Sequence, residues 1–306
     1  MNRIVLFCLI LAGTGKGFAQ SSSDTLMSAT PVSALPADSP RREFLPKGHL
    51  FDPILLDPIE AQTSAGVLPG YWQASDFATG SLQKYDGTIV PFTFGLRKPL
   101  IRWMKSPERG SELSLDVASF TQFEVYHDAK LNKQRRQLMN TDYRVSILYN
   151  VRVRNHAWRF RLYHLSSHLG DDYLIRNQIN YYLPNPVNYE VIDVTYSHEI
   201  NGLRKYVGVG IGLRKPEERK RLSAEAGFFY RRPAQTFARL VGGLDLKVWE
   251  QTDFRPGVKA GIGLELGRTA NNLTFLLEAY SGFRPYSVYE KQTTRWWGIG
   301  VYFNPI

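Results

Sequence analysis

The stretch His156-Ala157-Trp158-Arg159-Phe160-Arg161-Leu162-Tyr163-His164-Leu165-Ser166 decides the fold. Its residues alternate. Trp158, Phe160 and Leu162 fall on one side, and Arg159, Arg161 and Tyr163 on the other. A period of two is the period of a β-strand. His164 and Ser166 continue the apolar side. A base and a hydroxyl at the end of an oily strip are out of place in a water-soluble sheet. They suit a barrel whose outer surface meets lipid.

The same period continues along the chain from about residue 58. Val90, Phe92, Phe94 and Leu96 share a face. Tyr143, Val145, Ile147, Tyr149 and Val151 share another, opposite Arg144, Ser146, Asn150 and Arg152. Val207, Val209, Ile211 and Leu213 alternate with Gly208, Gly210 and Gly212. A soluble sandwich also alternates, but it hides its oily face between two sheets. Three features favour the barrel: an export signal, regular strand spacing with aromatics near strand ends, and a final aromatic strand over Trp296–Phe303. With a weak first strand near 58–66, the expectation is an all-β, antiparallel outer-membrane β-barrel of about 12 strands over residues 58–306. An even count puts both termini on the periplasmic side. Short turns are then expected near 154–156, 200–204, 232–235 and 268–271. Long outer loops are expected near 67–86, 127–138, 167–187 and 282–293, and the 98–111 connection is a long exception.

Residues 1–19 read as a signal peptide: Arg3, the apolar core Ile4–Ala12, and a small-residue cleavage site at Gly17-Phe18-Ala19. That core is too short to span a bilayer as a helix. Cys8, the only cysteine, lies within it, so the exported chain is expected to hold no disulfide. Residues 20–43, rich in Ser, Thr, Ala and Pro, read as a disordered leader. Residues 44–57 read as an ordered periplasmic lead-in.

The net charge is +10. Nucleic acid is the usual partner of a basic chain, but export points instead to the phosphates of outer-leaflet lipid. Lys130, Lys133, Arg135, Arg136 and the run Arg214–Arg221 read as solvated loop charges. Arg144, Arg152, Arg159, Arg161, Lys247, Glu265 and Glu278 face inward. They line either a polar channel or a packed network of opposite charges.

Serine is a poor nucleophile until a base takes its proton. Residues i and i+2 of a strand lie side by side, so His164 can serve Ser166. The base needs a third group to hold its ring. Glu190 shares the oily face of Ile192, Val194 and Tyr196, where a carboxylate is costly unless paired. The assignment is Ser166 as nucleophile, His164 as base and Glu190 as orienting acid, with Asn188 and Asn177 as alternatives for the third role. Backbone N–H groups near Ser167 or Gly170 are candidate oxyanion donors. Asp171 and Asp172 are candidate metal ligands, for calcium. Gly170-Asp171-Asp172 is equally ordinary turn chemistry, which is preferred because two adjacent carboxylates make a thin site. No other cofactor is expected. The bland reading of the pair is a His-x-Ser met by chance, with His164 anchoring at the headgroups. His49, His127, His156 and His198 lack such company and read as interfacial or loop residues.

The run Arg161-Leu162-Tyr163-His164-Leu165-Ser166-Ser167-His168-Leu169-Gly170-Asp171 resembles the signature of an uncharacterised bacterial envelope family, a domain of unknown function. The likeness extends to Phe44-Leu45-Pro46, Asp57-Pro58, Tyr189-Glu190, Gly243-Leu244-Asp245-Leu246-Lys247 and Leu277-Glu278-Ala279-Tyr280. It implies no activity. The His164-Leu165-Ser166 hairpin is also similar to two outer-membrane lipid hydrolase families, phospholipase A and lipid A deacylase. Both carry a His-x-Ser pair on the lipid-facing surface near the outer leaflet. That resemblance implies acyl hydrolysis of membrane phospholipid or lipopolysaccharide, with Asn as third residue and calcium at the oxyanion site in the phospholipase, and Glu as third residue in the deacylase. In both families Ser-Asn continues the motif, where this chain has Ser166-Ser167-His168, and the third residue lies closer in sequence than Glu190 does here. The competing readings are a non-enzymatic structural or pore-forming barrel, and a surface-binding protein using the 67–86 and 167–187 loops. The hydrolase reading requires His164 and Ser166 to face outward.

Overall fold

The computed structural model describes residues 41–74, 81–179, 187–233, 236–267 and 272–303. The expected signal peptide and most of the leader lie outside the described residues, as does the turn expected at 268–271.

Among the described residues nearly every ordered element is a strand. These are β1 (Arg41–Phe44), β2 (Thr63–Ala74), β3 (Leu82–Lys84), β4 (Thr88–Ser106), β5 (Arg109–Asp128), β6 (Lys133–Val153) and β7 (His156–Leu169). A short helix α1 (Asp171–Arg176) follows, then β8 (Asn188–Ile200), β9 (Leu203–Gly212), β10 (Leu222–Arg231), β11 (Ala238–Trp249), β12 (Gly257–Leu266), β13 (Leu273–Phe283) and β14 (Thr293–Phe303). From β4 to β14 each strand pairs antiparallel with the next; β14 pairs with β2 and β2 with β4. The result is a closed barrel of 12 strands, with β1 and β3 added to it. Closure gives each of the 12 wall strands a partner on both sides, which is what a strand wall in lipid requires.

The burial pattern is inverted relative to a water-soluble sheet. Phe94, Val145, Val209, Ile262 and Ile299 are all more than half exposed, at 60, 55, 64, 59 and 57 %. Arg97, Asp116, Arg144, Arg159, Arg161, Asp245 and Glu265 are buried on the opposite face. The alternation marked the two faces, and the closed barrel puts the apolar one outside.

Thr63 pairs with Phe303, so β2 begins and β14 finishes at one end of the barrel, here the proximal end. The turns there are tight. Arg154-Asn155 joins β6 to β7 and Asn201-Gly202 joins β8 to β9, with Arg154, Asn201 and Gly202 at positive φ. Gly202 is needed, since a Cβ there would lie 2.1 Å from the Arg231 carbonyl oxygen. The long 98–111 connection does not exist. β4 runs through Ser106 and β5 starts at Arg109. Pro99 had masked the strand, and it is accommodated where the register shifts between Pro99 and Ile101. The 127–138 loop likewise shrinks to residues 129–132.

The lead-in departs most from expectation. It is not confined to the periplasmic side, and the wall begins only at Thr63. Residues 50–62 are largely buried in the lumen. Glu60 accepts from Arg97 and from Arg159 Nη1 at 2.9 and 3.0 Å. Asp57 pairs with Lys247 at 2.6 Å, and Arg144 donates to the Ile59 carbonyl. The Phe51 ring lies under Arg159 and Arg204, each 4.7 Å from its centroid. The gaps bordering Ile59 measure only about 20 and 10 Å³. Of the two sequence readings of the lumen, the packed network of opposite charges is the observed one.

Candidate lipid-facing active site

β7 and β8 pair so that His164 faces Glu190 and Ser166 faces Asn188. The inward neighbours fix the facing. Tyr163 and Leu165 flank His164, and both pack into an apolar cluster with Phe120, Tyr189, Val191 and Trp249. With those two side chains inside, His164 and Ser166 must point out. They extend the exposed row Trp158, Phe160, Leu162. Cross-strand, His164 sits beside Val145 and Ser166 beside Tyr143, both more than half exposed. The pair therefore lies at the distal end of an apolar outer surface.

His164 Nδ1 is 2.9 Å from Glu190 Oε1. With Nδ1–H donating to the carboxylate, Nε2 is left as the free acceptor, the tautomer a general base needs. Ser166 Oγ is on the same face and makes no hydrogen bond to the imidazole. Uncomplexed sites often show such loose contacts, which tighten on substrate.

Sequence reasoning missed Arg214. It was read as a solvated loop charge; instead its Nε lies 3.2 Å from Glu190 Oε2 and its Nη2 3.2 Å from Asn188 Oδ1. Arg219 also departs from that reading, clamping Glu290 at 2.7 Å and stacking on Tyr189 at 3.7 Å. Arg214 and Asn188 thus form a polar rim on the Ser166 side of the histidine. Asn188 accepts from Arg214, so its amide N–H₂ remains to donate. Leu213, just past β9, donates to the Glu190 carbonyl at 2.9 Å and so brings Arg214 beside that carboxylate; nothing in the sequence marks where β9 ends.

The expected oxyanion donors are wrong. Ser167 N–H donates to the Val187 carbonyl at 2.8 Å and Gly170 N–H to Met139 at 3.0 Å. The strand continues through Leu169, and its ladder consumes them. Asn177 is also not part of the site, for its side chain caps α1 on the Tyr173 carbonyl at 2.8 Å. Asp171 and Asp172 form the exposed first turn of α1. No group of three or more potential metal ligands gathers among the described residues. Arg214 already places a cation on Glu190 and Asn188, so these residues do not fit calcium beside Ser166. Of the other histidines, His156 bonds Tyr196 Oη at 2.6 Å and stacks on His198, at the proximal end. His49 lies in the irregular stretch between β1 and the lumen segment, half-buried.

No curated protein sequence matches the chain. Among solved structures, an active-site mutant of outer membrane phospholipase A from Escherichia coli is 16 % identical, with a TM-score of 0.50 over 84 % of this chain and 95 % of that one. The Salmonella typhi outer membrane phospholipase dimer with bound calcium is 14 % identical, with a TM-score of 0.48 over 79 % and 90 %. An outer membrane channel from Pseudomonas putida F1 is 12 % identical, with a TM-score of 0.43 over 83 % and 98 %. At such identity the likeness to the Escherichia coli protein is one of fold. The sequence itself is placed by its match over residues 17–304: the chain belongs to the family described as protein of unknown function (DUF1207).

Proposed function

We propose that this outer-membrane barrel is a serine–histidine acyl hydrolase that cleaves ester-linked acyl chains from outer-leaflet phospholipid or lipid A. The observation that carries the reading is the 2.9 Å contact between His164 Nδ1 and Glu190 Oε1 on the outward face, with Ser166 one pleat further along. Ser166 Oγ attacks the ester carbonyl carbon while His164 Nε2 takes its proton. The tetrahedral oxyanion collapses, the C–O bond to the lipid alcohol breaks, and the imidazolium returns the proton to that alcohol. Water then attacks the acyl-serine with His164 again as base, which releases the fatty acid. Glu190 holds the ring and stabilises the imidazolium. Arg214 and the Asn188 amide supply positive charge and an N–H where the oxyanion develops, a role side chains fill in other hydrolases. No step here requires a metal.

A non-enzymatic structural barrel is the second reading, and the lack of a Ser166–His164 hydrogen bond favours it. An activated alkyl phosphonate, which leaves a stable phosphorus adduct on an activated serine, separates the two. Wild type in detergent micelles should be labelled at Ser166, as peptide mass spectrometry reads, and His164→Ala should lower the labelling rate by about 10³-fold. An unlabelled Ser166, or equal labelling in His164→Ala, contradicts a catalytic pair.

A further inference from the structure

The far side of the barrel carries a second feature, which the proposed chemistry does not use. A groove of about 760 Å³ opens over β12, β13, β14 and β2. Its floor is made of small outward residues in register: Ala260 pairs with Ala279, and Ala279 with Trp297. One pair nearer the distal rim the row reads Val258, Ser281, Arg295, Trp72 and Lys84. Trp72 and Trp297 line the groove.

The wall is built rather than incidental. Trp297 faces Gly70, and a Cβ on Gly70 would lie 2.1 Å from the indole Nε1. Glycine there lets the indole lie flat on the backbone of β2. Arg295 is the one charged residue lining the groove, and among the described residues it has no ion-pair partner. It is exposed at the distal rim, where aromatic residues meet headgroups. A guanidinium there, above an apolar trough walled by tryptophan, matches an acylated molecule with a phosphate at its head. Arginine takes phosphate oxygens bidentately. A second copy of this chain is the poorer occupant, since an isologous contact on this patch would set Arg295 against Arg295.

We propose that this groove binds lipid A of the outer leaflet, with a phosphate on Arg295 and an acyl chain along Val258, Ala260 and Ala279 between the two tryptophans. It holds lipid without cleaving it, since none of its lining residues is a base beside a nucleophile.

The test uses the full chain in detergent micelles with Ser166→Ala throughout, so that no lipid is consumed. Retained lipid is measured by native mass spectrometry during titration with lipid A, dephosphorylated lipid A and phosphatidylglycerol. Lipid A should bind most tightly. Arg295→Glu should weaken it about tenfold or more, as should removal of its phosphates. Ala279→Leu, which fills the floor from the lipid side and leaves the lumen untouched, should weaken both forms of lipid A. Binding unchanged in Arg295→Glu and Ala279→Leu overturns the site. Equal binding of phosphatidylglycerol overturns the assignment to lipid A.

Discussion

His164, Ser166 and Glu190 share one outward face because a strand's period of two aligns His164 with Ser166 and the hairpin return brings β8 beside β7. Arg214 was not readable, because its contact with Glu190 depends on where β9 ends. The oxyanion donors were misplaced for a related reason: β7 extends to Leu169, so its ladder uses the N–H groups that a loop would have freed. The revised constellation makes separable predictions. Glu190→Gln should lower kcat by about 10²–10⁴, since an amide can hold the ring in the wrong tautomer. Arg214→Ala should lower kcat by about 10–10³ with little change in KM, and Arg214→Lys should restore part of it, if Arg214 meets charge that exists only in the transition state. Steady-state kinetics on a dispersed ester substrate reads both. Addition of a chelator should leave the rate unchanged, since Arg214 occupies the position a cation would need; a strict calcium requirement would contradict that role for Arg214.

Among the elements, the strands were legible and the lumen segment was not. The wall follows from alternation wherever proline does not interrupt it, and Pro99 marks where it did. Residues 50–62 carry apolar side chains and, among their three carboxylates, Asp57 and Glu60, whose partners lie far off along the chain. Only closure of the barrel brings Arg97, Arg159 and Lys247 around them. The segment converts a ring of buried cations into a neutralised core, which also explains why the lumen holds so many arginines. Removing one partner of such a buried network leaves uncompensated charge. Glu60→Gln should therefore destabilise the barrel by about 3–5 kcal/mol. Thermal unfolding in detergent should show the loss, while Glu43→Gln, on the partly exposed β1, should be close to neutral.

For the whole molecule, the inverted burial pattern separates a lipid-facing barrel from a soluble sandwich. The sequence carried both faces but not their destination; closure through β2, β4 and β14 settles it. An outward position at mid-wall, Val209 at 64 % exposure, should tolerate leucine and resist arginine. The arginine variant should fold into vesicles less stably by about 2–4 kcal/mol, as read by denaturant titration. In the proposed mechanism a base and hydroxyl on the outer wall meet lipid side-on from within the leaflet rather than from water. The most direct test is fatty-acid release by the purified protein in bilayers of phospholipid, or of phospholipid with lipid A, comparing wild type with Ser166→Ala and His164→Ala. The account predicts release by wild type that both variants lose while remaining folded. No release from either lipid by folded wild type, or release that survives Ser166→Ala, would contradict it.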